Sequence, residues 1–390
     1  MKLRETRVEV TGDVVRLVGS VEHKGTVLEL YFAFPRAFES FVVNSADAFV
    51  PTLLVPCLQR GEALEIEPPV SPLLLSRVGQ VQDIYLSWFP SFRRVALSAR
   101  PRPGPEPPPA AGVGAFFSGG VDSFYTLLRP QGGPLPRPTH LLFLKGIEQP
   151  LALSRGTEAV QATVQEAARR TGTSLVPGES NIRDHFSLNY ELYYNGAALV
   201  AAALALQGGL GLILVPSSYA YSQLKPWGTH PLLDPLWATE RLRVVHDGCE
   251  ARRVDKIEAL IGEPLVLEQL RVCLENAAGP ANCGRCPKCV RTMLALEILG
   301  VLPRASRFPQ RLPPDVDVLF SRDHQEFRDE LVELAHRIGR RRDLAFLLDR
   351  ASRRARRRAA LRTFMEETPV LASTLPWIQR LRKRTRAALS

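Results

Sequence analysis

Over the first hundred residues, short runs of alternating apolar and polar positions (8–10, 14–18, 27–32) are broken at Thr11-Gly12-Asp13 and Lys24-Gly25. A period of two interrupted by turn residues predicts a small antiparallel sheet. Helical spacing follows over 46–57 and again over 71–88, where Leu73, Leu74, Val78, Val81 and Ile84 share one face. Such a stripe is what a helix buries against a core. A last strand near 95–98 completes a small α+β domain over residues 1–100, in which no chemistry-bearing motif stands out.

Residues 101–110 contain six prolines, at 101, 103, 105, 107, 108 and 109, a composition that gives a stiff, extended connector. Beyond it the pattern changes to strand and helix in alternation: 113–117, a helix from Asp122, 141–144, 157–171 and 174–176. That order predicts a doubly wound parallel sheet in an α/β domain over 111–302. One uncharged run, 195–224, is long enough to raise the question of a membrane span. Gln207-Gly208-Gly209 divides it into an alanine-rich helical half and a short apolar half, 210–215. The reading adopted is a buried helix and a central strand covered on both faces. From about Val301 the chain is helical in pattern and increasingly rich in arginine, defining a C-terminal region over 303–390.

The 390 residues are 45% hydrophobic and 23% charged, which excludes disorder over the whole length. The net charge of +10 is unevenly placed: residues 337–390 carry 16 basic and 4 acidic side chains, whereas the preceding 336 residues carry 34 and 36. The first ten residues interleave charges with valines and lack the apolar stretch of a signal peptide, so a cytoplasmic location is expected. Within 350–362, Arg353-Arg354-Ala355-Arg356-Arg357-Arg358 predicts a helix with a strongly positive face. That face reads either as an RNA-binding surface or as a solvated face salt-bridged to the acidic stretch 323–333. Trp377 beside the basic run 380–386 adds too little aromatic surface to decide between them.

Ser118-Gly119-Gly120-Val121-Asp122-Ser123 follows the apolar run 114–117 and precedes the helical run 124–128. At a strand-to-helix turn, paired glycines let backbone approach a ligand, and the free N–H groups of the helix start favour a phosphate. Ser118 and Ser123 can add hydroxyl donors, and Asp122 suits Mg²⁺ on a polyphosphate. The plainer alternative is a glycine turn with a capped helix. The Walker pattern with its lysine is absent.

The SGGVDS turn resembles the SGGxDS loop of the N-type ATP pyrophosphatase (PP-loop) superfamily, whose members have a HUP-type α/β fold and split ATP into AMP and pyrophosphate. The resemblance implies that Ser118, Gly119, Gly120, Val121, Asp122 and Ser123 cradle the pyrophosphate and Mg²⁺, and that AMP is attached to a substrate oxygen.

Cys273, Cys283, Cys286 and Cys289 form a C-x9-C-x2-C-x2-C arrangement, which suits a closed Zn²⁺ shell of four thiolates in a reducing compartment. An iron–sulfur cluster uses similar spacing. Arg285, Lys288 and Arg291 are placed to offset the negative site, and Cys57 and Cys249 stand apart as small buried residues. An SGGxDS loop with a late four-cysteine site is similar to the 7-cyano-7-deazaguanine synthase family. So are Asn195-Gly196 and the lysine-containing helix start Asp255-Lys256-Ile257-Glu258. The likeness spans roughly 112–302. It implies ATP-dependent activation of a deazaguanine-like carboxylate, an amine donor, a homo-oligomer and no membrane.

The family's Gly-Tyr-Pro-Asp-Cys substrate segment is missing, and residues 227–240 take its place, so the acceptor is open. There His230 and Asp234 suit acid–base work and Trp237 suits stacking on a base, with Glu240 beside them, unless these residues only hydrogen-bond their own loop. His246-Asp247-Gly248 reads as a turn. The catalytic candidates are therefore Asp122, Lys256, His230 and Asp234. The expected activity is adenylation, with RNA thiolation or ATP sensing without turnover as the alternatives.

Overall fold

The computed structural model describes residues 1–129, 135–147, 150–153, 158–273, 275, 281–313 and 325–340. The chain forms two compact units, Met1–Asn282 with Arg304–Arg307, and Cys283–Pro303 with the described residues from Phe308. The arginine-rich run 350–362 and the basic run 380–386 lie outside the described residues.

The first unit is built on a mixed sheet of ten strands. It begins with β1 (Lys2–Thr11), β2 (Val14–His23) and β3 (Thr26–Pro35), followed by α1 (Phe49–Arg60), β4 (Leu64–Val70), α2 (Pro72–Trp88) and β5 (Leu97–Pro101). The two hairpins are antiparallel, as the alternation predicts. Lys24 and Gly25 both take positive φ, 52° and 77°, the backbone that a two-residue turn between right-twisted strands requires. β4 and β5, by contrast, run parallel to β1 and β4, because a helix precedes each and returns the chain to the same end of the sheet. The start of α2 is fixed by Ser71, whose hydroxyl accepts from Leu74 N–H at 3.0 Å, with Pro72 in the first turn.

The second half of the sheet comprises β6 (Gly112–Phe116), α3 (Val121–Leu128), β7 (His140–Lys145), α4 (Glu158–Thr171), β8 (Ser174–Ser180), α5 (Ile182–His185), α6 (Asn195–Ala205), β9 (Leu210–Pro216) and β10 (Arg243–Asp247). Helices α7 (Arg253–Leu260) and α8 (Pro264–Gln269) follow. The sheet order is β10-β9-β6-β7-β8-β3-β2-β1-β4-β5. All pairings among β6 to β10 are parallel. The uncharged run becomes α6, whose alanines are buried, and β9, which is buried as expected but lies beside the edge strand β10 rather than at the centre of the sheet. No helix among the described residues is long and apolar enough to cross a membrane.

The N-terminal strands, expected as a sheet of their own, continue this sheet. β3 pairs antiparallel with β8 through Phe32 with Ser180 and Ala33 with Glu179. The Asn181 side chain prolongs the ladder, accepting from Tyr31 N–H at 2.9 Å and donating to Glu29 C=O at 2.7 Å. The proline-rich segment is also anchored, since Arg102 pairs with Asp47 and Glu106, and Glu106 pairs with Arg241. Asp47 is fully buried and accepts further bonds from Ser71 N–H and from the Gln207 side chain. Sequence spacing could not show this, because every partner is at least 24 residues away.

The second unit contains α9 (Pro287–Ile298) and α10 (Gln325–Arg337). α9 buries Val290, Met293, Leu294 and Ile298, and the Arg291 guanidinium lies 4.0 Å from the Phe327 ring centroid.

Removing Asp47 leaves Arg102 with Glu106 alone as its carboxylate and takes the acceptor from the Ser71 N–H and the Gln207 side chain, so Asp47→Ala lowers the stability of the first unit by about 3 kcal/mol. Urea unfolding measures it; a loss of less than about 1 kcal/mol, the range of an exposed pair, would refute the role given to this network.

Candidate functional site

Counted from β6 as first, the parallel half of the sheet has the order 5-4-1-2-3, so the chain moves outward in opposite directions from the neighbouring strands β6 and β9. At such a reversal the loops beyond the carboxyl ends of the two strands part, and ligands of open α/β sheets bind in that crevice. Ser118 to Ser123 lie at the end of β6, and Ser217 follows the end of β9.

The turn takes the shape that its glycines permit. Gly119 has φ +75°, a left-handed conformation strained for side-chain-bearing residues, and no atom of the described residues beyond its chain neighbours lies within 4 Å of where its Cβ would be. The backbone, not crowding, is therefore what calls for glycine there. Gly120 is the extended N-cap of α3, and Arg271 N–H donates to Gly119 C=O at 2.9 Å. Ser118 is exposed and Val121 buried. Ser123 is turned inward, its hydroxyl donating to Gly120 C=O at 3.0 Å.

Asp122 carries the charge of the turn and meets two cations from α7. Arg253 donates to it at 2.8 Å, and the Lys256 ammonium lies 3.4 Å away. Lys256 is only 1% exposed, and its ammonium donates to Ser217 C=O at 2.6 Å. Arg253 Nε is buried and has no hydrogen-bond partner among the described residues. A helix N-terminus, two cations and one carboxylate thus converge at the crevice, a donor set suited to a polyphosphate with a divalent cation. Arg253 is absent from the sequence-based candidates. Its signal was its place three residues before Lys256, on the same helical face.

The 227–240 segment differs from its expectation. Trp237 is fully buried and offers no stacking face, and Glu240 accepts from the Ser71 hydroxyl and Leu73 N–H, closing the start of α2. His230 is 5% exposed, accepts from Leu232 N–H at Nδ1, and meets the Trp88 ring edge-on. Burial, then the neighbouring His246, lowers its pKa and keeps it neutral near pH 7. Asp234 is fully buried, bonding Thr229 at 2.6 Å and His246 Nδ1 at 2.7 Å. Gly196 must remain a glycine beside it, since a Cβ there would lie 2.2 Å from Asp234 Oδ1.

His246 and Asp247, read from sequence as a turn, are the last residues of β10. Asp247 is buried and bonds Thr126 and Arg129. Burial opposes charge on His246, but hydrogen bonds with Asp234 and Cys249 outweigh it and raise its pKa to about 9.

The sulfurs of Cys273, Cys283, Cys286 and Cys289 all lie within 4.8 Å of one another. Cys283 and Cys286 accept the backbone N–H groups of Cys286 and Cys289 at 3.3 and 3.4 Å, the local fold of two short C-x2-C steps. Gly284, at φ +69°, makes the first turn possible. Cys283 and Cys289 sulfurs are 3.8 Å apart. That matches the edge of about 3.8 Å in a tetrahedron of sulfurs about 2.3 Å from a central zinc. Cys286 caps α9, where the helix dipole favours a thiolate. Asn282 holds the other strand of the site, its side-chain oxygen accepting from Val272 and Cys273 N–H groups. These four thiols can bind one metal ion.

Two outcomes follow from this geometry. Because the folded pKa of His246 lies above the ordinary 6.5, the stability it contributes is complete below pH 6.5 and is lost as pH rises through about 9. Wild type should lose roughly 3 kcal/mol more than Asp234→Asn between those limits. Parallel urea titrations at the two pH values decide it, and equal losses contradict the pair. Elemental analysis should find about one metal per chain, falling severalfold in Cys289→Ala; an undiminished content would remove this site as its holder.

No family model matches the chain, and neither the curated proteins nor the solved structures provide a match.

Proposed function

We propose that the protein is an ATP-dependent adenylating enzyme with a HUP-type α/β core, converting ATP and a carboxylate acceptor to an acyl adenylate and pyrophosphate. The observation that carries this reading is the SGGVDS turn at the sheet's reversal point, with Asp122 between Arg253 and Lys256. The free N–H groups at the start of α3 suit the β- and γ-phosphates. Asp122 would hold Mg²⁺, which would neutralise the polyphosphate. Arg253 and Lys256, relieved of part of their pairing with Asp122, are placed to offset charge gathering on the departing pyrophosphate.

The acceptor's oxygen attacks the α-phosphorus, the bond to the bridging oxygen breaks, and pyrophosphate leaves. This converts a poor carboxylate leaving group into a good one. A carboxylated deazaguanine remains the first acceptor to try, on the sequence resemblance, with ammonia as the amine donor. The four thiols would hold zinc in a structural role, because four thiolates would fill its coordination and leave no position open for a substrate. The RNA reading depended on residues 350–362, outside the described residues, and no other observation favours it.

Incubation with Mg-ATP, 7-carboxy-7-deazaguanine and ammonia should yield AMP, pyrophosphate, the amide and, once a second ATP activates the amide oxygen for departure, the nitrile by mass spectrometry. Asp122→Ala should reduce AMP formation by roughly 10²-fold or more. AMP without nitrile would retain adenylation and change the acceptor. AMP formation that survives the substitution would contradict the reading.

A further inference from the structure

The loop 218–228, beyond the carboxyl end of β9, carries three aromatic side chains for which the roles given so far have no use: Tyr219, Tyr221 and Trp227. Tyr219 and Trp227 are half-buried, and Tyr221 is exposed. Aromatic rings left partly open to water beside a crevice are the material of a ligand site, since each offers a flat apolar face with few rotatable bonds.

The loop is held at both ends. At the first, the Ser217 hydroxyl donates to Tyr219 C=O at 2.7 Å and accepts from Tyr219 N–H at 3.3 Å. The carbonyl of the same serine receives Lys256, which in turn meets Asp122, so Tyr219 is tied to the crevice. At the second, Gly228 N–H donates to Glu191 C=O at 3.1 Å, and Gly228 C=O accepts from Gly196 N–H at 2.7 Å. A Cβ on Gly228 would lie 2.8 Å from both the Glu191 oxygen and the Tyr194 nitrogen. Only glycine therefore lets the residue after Trp227 lie this close to the start of α6.

The rings of Tyr219 and Trp227 stand 5.9 Å apart at 78°, edge to face, and form a corner. The Lys225 ammonium is 4.5 Å from the centroid of Tyr219 and 5.9 Å from that of Trp227. A flat ring laid on one wall of such a corner meets the other wall edge-on. The cation decides which ring suits it. The adenine of ATP is neutral and gains little from a neighbouring ammonium, whereas an aromatic carboxylate carries the charge that Lys225 complements.

We infer that Trp227 and Tyr219 hold the ring of an aromatic carboxylate acceptor, with Lys225 facing its negative group. That the ligand is an acceptor rests on the function proposed above, but the recognition of a planar anion does not. Trp227 thus takes the stacking part expected of Trp237, which lies in the core.

The probe is 2-naphthoate, titrated into the full chain and followed by ligand-observed NMR, beside its neutral carboxamide and the saturated decahydro-2-naphthoate. Wild type should bind 2-naphthoate at least about tenfold more tightly than either relative, because each lacks one of the two features that the corner recognises. Trp227→Ala should weaken binding at least about tenfold, near the smallest effect of a lost ring stack, whereas Trp227→Phe should stay within about threefold of wild type. Lys225→Met should bring the carboxylate and the carboxamide to within about threefold of each other. The wild-type ratios decide the matter even if Trp227→Ala folds poorly.

No binding of 2-naphthoate, equal binding of the saturated relative, or an unchanged affinity in Trp227→Ala overturns the inference. So does a Trp227→Ala protein that keeps 2-naphthoate and instead loses affinity for Mg²⁺ with the α,β-methylene analogue of ATP, since the corner would then serve adenine. Because the titration needs no turnover, failure here with AMP formation intact sinks this inference alone. Naphthoate binding with the expected ratios in a protein that makes no AMP leaves the site standing and counts against the proposed function.

Discussion

A lysine ammonium that is 1% exposed must find partners, because withdrawing such a charge from water costs several kcal/mol. Lys256 meets that requirement with Ser217 C=O beyond β9 and with Asp122 in the first turn of α3. Three elements are located by this one group: the end of the buried strand β9, the start of the helix after the glycine turn, and α7, which carries the lysine. Ser217 transmits the constraint further, through its hydroxyl to Cys249 and through its N–H to the carbonyl of Asp247 at the end of β10. The crevice is therefore a connected polar set, with the loops of β6, β9 and β10 sharing partners.

The parallel half of the sheet makes that arrangement possible. Strands β6 and β9 are buried on both faces, and their neighbours lead away in opposite directions, leaving their carboxyl ends as the place where loops converge. The N-terminal strands extend the sheet on its far side and contribute none of the groups at the crevice described above. Their attachment is polar and specific: the Asn181 clamp continues the β3–β8 ladder, and Asp47 gathers Arg102, Gln207 and Ser71 N–H. The crevice residues in turn depend on close packing, as Gly196 beside Asp234 illustrates.

Much of the mixed α/β architecture was legible because its signals are local. Alternation marked the hairpins, the glycine pair marked the strand-to-helix turn, and Gln207-Gly208-Gly209 divided the uncharged run into α6 and β9. The four cysteines were legible for the same reason, since short gaps brought three of them together. What escaped depends on distance along the chain. Glu240 looked like a crevice residue and instead caps α2, some 170 positions earlier, while Trp237 entered the core. His246 read as part of a turn because nothing nearby in sequence reveals Asp234, twelve residues before it, as its buried partner. Arg253 could have been found from its helical spacing to Lys256, but only once Asp122 was known to face both.

Every role proposed for the crevice requires the SGGVDS turn to be a polyphosphate site. A crystal structure with Mg²⁺ and the non-cleavable α,β-methylene analogue of ATP tests it most directly. The expected result is the β- and γ-phosphates on the backbone N–H groups of residues 119–123, with the Asp122 carboxylate turned from Arg253 to the metal. A nucleotide bound elsewhere, or a crevice in which Asp122 keeps both cations with no phosphate beside the turn, would contradict it.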